Sequence, residues 1–171
     1  FVAFRDWKLG QGWESVDDEG QLSVMKFNGL EWEYVGGTSQ GLELLVVESS
    51  TSWVNSPRLA LDNNNLYVVF GFSNKAITLQ YNGEYWSQVG ETIESDYVDH
   101  TTIYIHNSQP YIAFRNNSPY DIKIYGFESN NWSQTGPTIT GFGESGTLKL
   151  EVFNDNFFLG FKYNDREEYH I

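Results

Sequence analysis

The sequence contains no cysteine, which excludes a disulfide framework and any thiolate metal centre. Cations are scarce as well: 10 Lys and Arg stand against 23 Asp and Glu in 171 residues, a formal net charge of −13. Phosphate binding needs clustered Lys and Arg, so nucleic acid is excluded as a partner and an anionic membrane surface is disfavoured. No apolar run is long enough to cross a bilayer, so no membrane insertion is expected, and no signal-peptide pattern is present. Apolar residues nowhere recur at helical spacing for three turns, which removes the helical classes. Low Lys together with abundant Asn, Ser, Gly and aromatics reads as a secreted or cell-surface module.

What is there is a repeat. An aromatic is followed by Trp five residues later and Gly four residues after that at Phe27, Trp32, Gly36, at Tyr81, Trp86, Gly90 and at Phe127, Trp132, Gly136. The Trp steps are 86 − 32 = 54 and 132 − 86 = 46 residues, in the range of solenoids, propellers and arrays. A second marker keeps the same register, because triplets closing on Phe recur as Val2-Ala3-Phe4, Val68-Val69-Phe70, Ile112-Ala113-Phe114 and Leu159-Gly160-Phe161. Upstream strands at Leu59-Ala60-Leu61, Ile103-Tyr104-Ile105 and Leu150-Glu151-Val152 each start eleven residues before their Phe.

Apolar and polar residues alternate in short runs bounded by Asn, Gly, Ser and Asp, the pattern of strands and turns. Each unit of about 45 residues reads as four strands, for example Thr101 to Asn107, Tyr111 to Arg115, Ile122 to Phe127 and Trp132 to Gly136. Asn28-Gly29 and Asn82-Gly83 stand between third and fourth strands, where a tight hairpin takes residues that tolerate positive φ. Four antiparallel strands per unit make the blade of a β-propeller, so the fold class is all-β. The blades are expected at 1–36 (a, with an insertion at 6–23), 57–90 (b, preceded by an insertion at 37–56), 101–136 (c) and 147–171 (d, incomplete). Strands number three, four, four and three, short of a closed ring. The ring would be completed by further blades of the same polypeptide, the favoured reading, or by another copy.

Tyr111-Ile112-Ala113-Phe114-Arg115, then Ile122-Lys123-Ile124-Tyr125 and Asn131-Trp132-Ser133-Gln134-Thr135-Gly136, resemble blades of secreted bacterial propellers, including six- and seven-bladed lectins that bind fucose and related sugars. Val24-Met25-Lys26-Phe27-Asn28-Gly29 is similar to blades of large exported bacterial repeat proteins. The likeness is one of blade architecture and implies fold more strongly than function. It implies sugar pockets between adjacent blades, where an Arg and a carboxylate hold hydroxyls and an aromatic ring packs on the sugar. The residues following the repeated Phe are Arg5, Gly71, Arg115 and Lys162; Arg5 and Arg115 are therefore candidate ligand residues, while Gly71 interrupts the series.

Trp32, Trp86 and Trp132 stand in the repeat register and are expected to pack between blades. The other three, Trp7, Trp13 and Trp53, all lie in the extra material of the first unit. In a four-stranded antiparallel blade the second-to-third and fourth-to-first connections leave on the same rim, so both insertions are expected side by side on one face. Long loops on a rigid scaffold are common binding sites. Trp7, Trp13 and Trp53 offer flat rings there, and Glu14, Asp17, Asp18, Glu19, Asn55 and Arg58 offer hydrogen bonds, a set suited to a glycan or a protein surface. The apolar run Leu42, Leu44, Leu45, Val46, Val47 keeps an assembly role open.

Catalysis and metal are weighed against this. Propeller glycosidases use paired carboxylates or a Tyr nucleophile, yet no Ser-x-Asp-x-Gly-x-Thr-Trp box occurs, and His100, His106 and His170 have no metal-ligand spacing. Asp17-Asp18-Glu19 raises Ca2+, but consecutive acids in an extended loop diverge and no Asp-x-Asp-x-Asp-Gly pattern is present, so no cofactor is expected. Asp62-Asn63-Asn64-Asn65 and Asn154-Asp155-Asn156 read as turns between first and second strands. The expectation is a non-catalytic recognition module with a carbohydrate ligand first, a protein-binding or assembly role second and a glycosidase fragment third.

Overall fold

Runs such as Leu66-Tyr67-Val68-Val69-Phe70 have no polar face, which suits a strand covered on both sides. The computed structural model describes residues 1–6, 21–36, 54–116, 120–141 and 145–163, and there both faces of that strand are used. Leu66, Val68, Phe70 and Phe72 belong to the core shared with Leu22, Val24 and Val35 of the preceding sheet. Tyr67 and Val69 belong to the core shared with Ile103, Ile112 and Phe114 of the following one. A smaller third core joins Ala113, Ile122 and Leu148.

Fourteen strands and no helix are found among the described residues, in four antiparallel sheets. Blade a holds β1 (Val2–Asp6), β2 (Gln21–Phe27) and β3 (Trp32–Tyr34). Blade b holds β4 (Val54–Asp62), β5 (Asn65–Phe72), β6 (Lys75–Tyr81), β7 (Trp86–Gln88) and the short β8 (Ile93–Glu94). Blade c holds β9 (Asp99–His106), β10 (Gln109–Arg115), β11 (Ile122–Glu128) and β12 (Asn131–Gln134), and blade d holds β13 (Ser145–Phe153) and β14 (Asn156–Tyr163). The sheets are ordered in sequence, with β4 against β9 and β9 against β13 at the centre. This is an all-β arrangement of propeller blades. Among the described residues blade b has five strands where four are expected, and the third strand expected of blade d lies outside the described residues. β8 is the addition: the segment after β7 folds back and pairs with β6, and in blade c Ile139 does the same against Ile122.

The repeated aromatic, Trp and Gly form one device that spans two blades. Within each hairpin the two rings pack together, with centroids 5.5 Å apart at Phe27 and Trp32, 5.2 Å at Tyr81 and Trp86 and 5.0 Å at Phe127 and Trp132. The Trp of one blade then seats on the Gly of the blade before it. Trp86 Nε1 donates to Val35 O at 2.7 Å, and Trp132 Nε1 donates to Val89 O at 2.9 Å. A Cβ on Gly36 would lie 2.6 Å from Trp86 Cδ1, and one on Gly90 would lie 2.6 Å from the Phe127 ring. Both glycines also have positive φ, 63° and 66°, so glycine is needed for conformation and for space. Trp32 departs from the expected packing: it is 49% exposed.

The hairpins also differ from expectation in detail. Asn28 and Asn82 are outside the positive-φ residues; only Gly29 and Gly83 take φ of 105° and 103°. Each Asn side chain caps the loop instead, its Oδ1 accepting from the N–H groups of Leu30 and Glu31 or of Glu84 and Tyr85. In blade c the two-residue turn Ser129-Asn130 carries positive φ at both positions, 51° and 67°, as a type I′ turn requires. Asn63, Asn154 and Asp155 are also at positive φ, 51°, 49° and 58°, in keeping with their turn-forming role.

Candidate functional site

The first strand of each of blades b, c and d carries a bulge near its start. The three-residue step of β4 from Asn55 to Arg58 opposes the two-residue step from Gly71 to Val69, and β9 repeats this opposite Arg115 to Ala113; β13 bulges between Ser145 and Leu148. A bulge re-aims side chains at the rim of a sheet. In β4 and β9 it is accompanied by positive φ at the equivalent residues Ser56 (45°) and His100 (46°), uncommon for residues with a Cβ.

These two bulges meet between blades b and c. Asp99 lies opposite Arg115 in the ladder, and its Oδ2 accepts from Arg115 Nη2 at 3.0 Å. Its other oxygen accepts from the His100 N–H at 2.8 Å and from Ser56 Oγ at 3.4 Å. His100 Nε2 stands 3.3 Å from the same carboxylate. Thr101 Oγ1 donates to Ser56 O at 2.5 Å, tying the two bulges together. The Arg115 side chain is only 6% exposed, and its guanidinium lies 5.4 Å from the centre of the Tyr120 ring. Tyr120 is itself at φ 67°.

Around this ion pair stand Arg58, whose Nη1 donates to Pro57 O at 3.0 Å, and Asn55, whose side-chain amide donates to Tyr97 Oη at 3.3 Å. Burial pushes the His100 pKa down; the nearby Asp99 carboxylate works against that, and the Arg115 and Arg58 charges add to it. The Asp99 contact by itself would raise the value, but half-buried imidazolium loses more in leaving water than one partly shared carboxylate returns. Arg5, at the end of β1, has its pKa lowered by burial, with the Tyr97 phenol acting in the opposite sense. Tyr97 thus stands beside Asn55 and within electrostatic reach of Arg5, Asp99 holds Arg115, and the Arg58 charge is felt at His100.

Gly71 explains the break in the Arg series. A Cβ there would sit 2.5 Å from the Val98 carbonyl oxygen, because the segment before β9 is pinned by Val98 N–H donating to Ser73 O at 3.1 Å and Ser95 N–H donating to Asn74 O at 2.8 Å. The fourth-to-first connection therefore lies over the second-to-third turn of its own blade. His106 is on the opposite rim, its Nε2 2.9 Å from Asp155 Oδ1 of the next blade's first turn.

Of the nine candidate residues, Trp7, Trp13, Glu14, Asp17 and Trp53 lie outside the described residues, as do Asp18, Glu19 and the run from Leu42 to Val47. The described four come together as above. Sequence reading overlooked Tyr97, Asp99 and Tyr120 and considered His100 only for metal spacing. The signal was the pairing of first and second strands, but the bulge shifts the partner of Arg115 by one residue, from His100 to Asp99. No group of three His, Asp or Glu side chains placed to hold a metal occurs among the described residues.

No family model matches the sequence, and no curated protein sequence matches it. Among solved structures, a mutant Aleuria aurantia lectin in complex with alpha-methyl-L-fucoside aligns over 84% of this chain and 46% of its own, with 15% identity and a TM-score of 0.59. A Bombyx mori GH32 beta-fructofuranosidase aligns over 82% of this chain and 36% of its own, with 9% identity and a TM-score of 0.53. The chain spans less than half the length of either, and at these identities the likeness is one of propeller fold.

Proposed function

We propose that this chain is a non-catalytic recognition module of a secreted or surface-exposed protein that binds carbohydrate through one propeller face. The observation that carries the reading is the rim site between blades b and c. Two bulges and three residues at positive φ, Ser56, His100 and Tyr120, bring Arg58, the Asp99 and Arg115 pair and the aromatic rings of Tyr97 and Tyr120 together there. Backbone strain of this kind concentrates at functional sites. Planar donors, a fixed carboxylate and an aromatic face are what sugar hydroxyls and the apolar side of a pyranose require. The lectin with a bound fucoside supports the reading by fold analogy.

The insertions of blade a leave by the second-to-third and fourth-to-first connections, the same kinds of connection that bound the rim site. Trp7, Trp13 and Trp53 are accordingly proposed to extend it. A glycan array probed with the 171-residue chain, followed by titration with methyl alpha-L-fucoside and the best array hits, tests the proposal. Arg58→Ala and Tyr120→Ala are expected to weaken a hit by roughly tenfold or more, about 1.4 kcal/mol. A blank array, or a hit indifferent to both changes, overturns the assignment of this site.

A further inference from the structure

The charge at the rim site runs against that of the chain. Acids outnumber Lys and Arg by 23 to 10, yet the charged groups that act on His100 are one carboxylate, Asp99, and two guanidiniums, Arg115 and Arg58. Asp99 is engaged by Arg115, its Oδ2 accepting from Nη2 at 3.0 Å. Arg58 has no such partner: among the described residues no carboxylate stands within ion-pair distance of it, whereas Lys26 and Lys149 each have a Glu, at 3.4 Å and 3.0 Å. The Arg58 side chain donates from Nη1 to the adjacent Pro57 O at 3.0 Å. A guanidinium carries five N–H donors in a planar fork, so most of the fork of this half-buried residue is open to a ligand. The segment beneath it is fixed. Ser56 O accepts from Thr101 Oγ1 of the next blade at 2.5 Å, the ring of Pro57 locks its own φ, and the Nη1 bond folds the side chain back on that segment. An arginine held in this way has little freedom left to lose on binding.

We propose that the rim site takes an acidic sugar, a pyranose bearing a carboxylate, with that carboxylate seated on the Arg58 guanidinium. The inference rests on the carbohydrate reading above and gives it a ligand class. The fork matches a carboxylate with two parallel N–H···O bonds, and such charge-assisted bonds are roughly twice as strong as neutral ones. A neutral sugar would leave the Arg58 charge without a counter-ion. Asp99 sets the orientation: its carboxylate already neutralises Arg115 and would repel a second anion there, so the sugar's acid group goes to Arg58 and its hydroxyls face Asp99, which accepts hydrogen bonds only. Attraction by the molecule as a whole cannot produce such a preference, because a net charge of −13 repels anions at long range. Selectivity for an acidic sugar would therefore be a property of this site.

Isothermal titration of the 171-residue chain with two matched pairs tests the class. Methyl beta-D-glucuronide is compared with methyl beta-D-glucoside, and the methyl alpha-glycoside of N-acetylneuraminic acid with its methyl ester; the first pair reports a uronic acid and the second a sialic acid. In at least one pair the acid is expected to bind roughly tenfold or more tightly than its neutral partner, the scale of one charge-assisted contact. Arg58→Gln, with the sheet circular dichroism unchanged, is expected to bring that ratio to within about threefold. Arg58→Lys keeps the charge and loses the fork, so its ratio should fall between the two. Neutral members that bind as tightly as the acids, or array hits confined to neutral glycans, overturn the acidic class and leave the carbohydrate reading standing. An acid preference indifferent to Arg58→Gln overturns its assignment to this site. A blank array overturns both readings together.

Discussion

Replacing Trp86 by Ala tests whether the repeat signature is a joint between blades. Burying a whole Trp or Phe is worth ~3–5 kcal/mol when truncated to Ala. Trp86 is half-buried against Gly36 and Tyr81, which takes the packing loss to ~2 kcal/mol. The indole N–H also satisfies the carbonyl of buried Val35 at 2.7 Å, and leaving that oxygen without a donor adds ~1 kcal/mol. The sum of ~3 kcal/mol corresponds to a fall of roughly 6–12 °C in Tm for a domain of this size. Thermal and urea unfolding, followed by circular dichroism, measure it. Trp86→Phe keeps the ring pair and loses the donor, so it is expected to fall between Ala and wild type. Trp32→Ala is the control: the equivalent residue of the blade a hairpin, 49% exposed, should cost less than ~1 kcal/mol. Equal losses at Trp86 and Trp32 would refute the argument, because the sequence motif would then matter within the hairpin and not across the blades.

Three further outcomes are expected. Gly71→Ala forces a Cβ to 2.5 Å from the Val98 carbonyl oxygen and should cost ~1–3 kcal/mol in urea unfolding, whereas Gly160→Ala, with its nearest atom at 3.9 Å, should be close to neutral. Asp99→Ala strips the counter-ion from an Arg115 side chain that is 6% exposed. It should destabilise by ~3–5 kcal/mol, while a loss below ~1 kcal/mol would mean that water replaces the pair. The lowered pKa of His100 makes stability depend on pH. The unfolded imidazole, with a pKa near 6.5, binds the proton more readily than the folded one, so the contribution is full above about pH 6.5 and is lost as the pH falls below it. Denaturation midpoints between pH 7.5 and 5.5 should drop less in His100→Asn than in wild type; parallel slopes would contradict the shift.

The blade period, the all-β class, the strand order and the turn positions were legible in the residues because each rests on local chemistry. Alternation along a strand and the Asn, Gly and Ser choices at a hairpin need no distant partner. Phe70 and Phe114, picked out by their triplets, are fully buried for the same reason: a central strand with two apolar faces can only lie between two sheets. What a motif touches is another matter. Gly36 and Gly90 were visible as repeat residues, but the atoms that demand glycine belong to Trp86, Phe127 and Trp132 in the following blade. The rim site was legible only in part. Arg115 stood out by register, but its counter-ion Asp99 depends on a one-residue bulge, and the approach of Val98 to Gly71 depends on a connector folding back over its own sheet. The sequence by itself therefore determined the repeating unit, since a strand and its turn are specified by neighbours along the chain. Only the tertiary structure decided which units meet, which glycine receives which tryptophan and where the charges gather, because those contacts join residues some 16 to 51 positions apart.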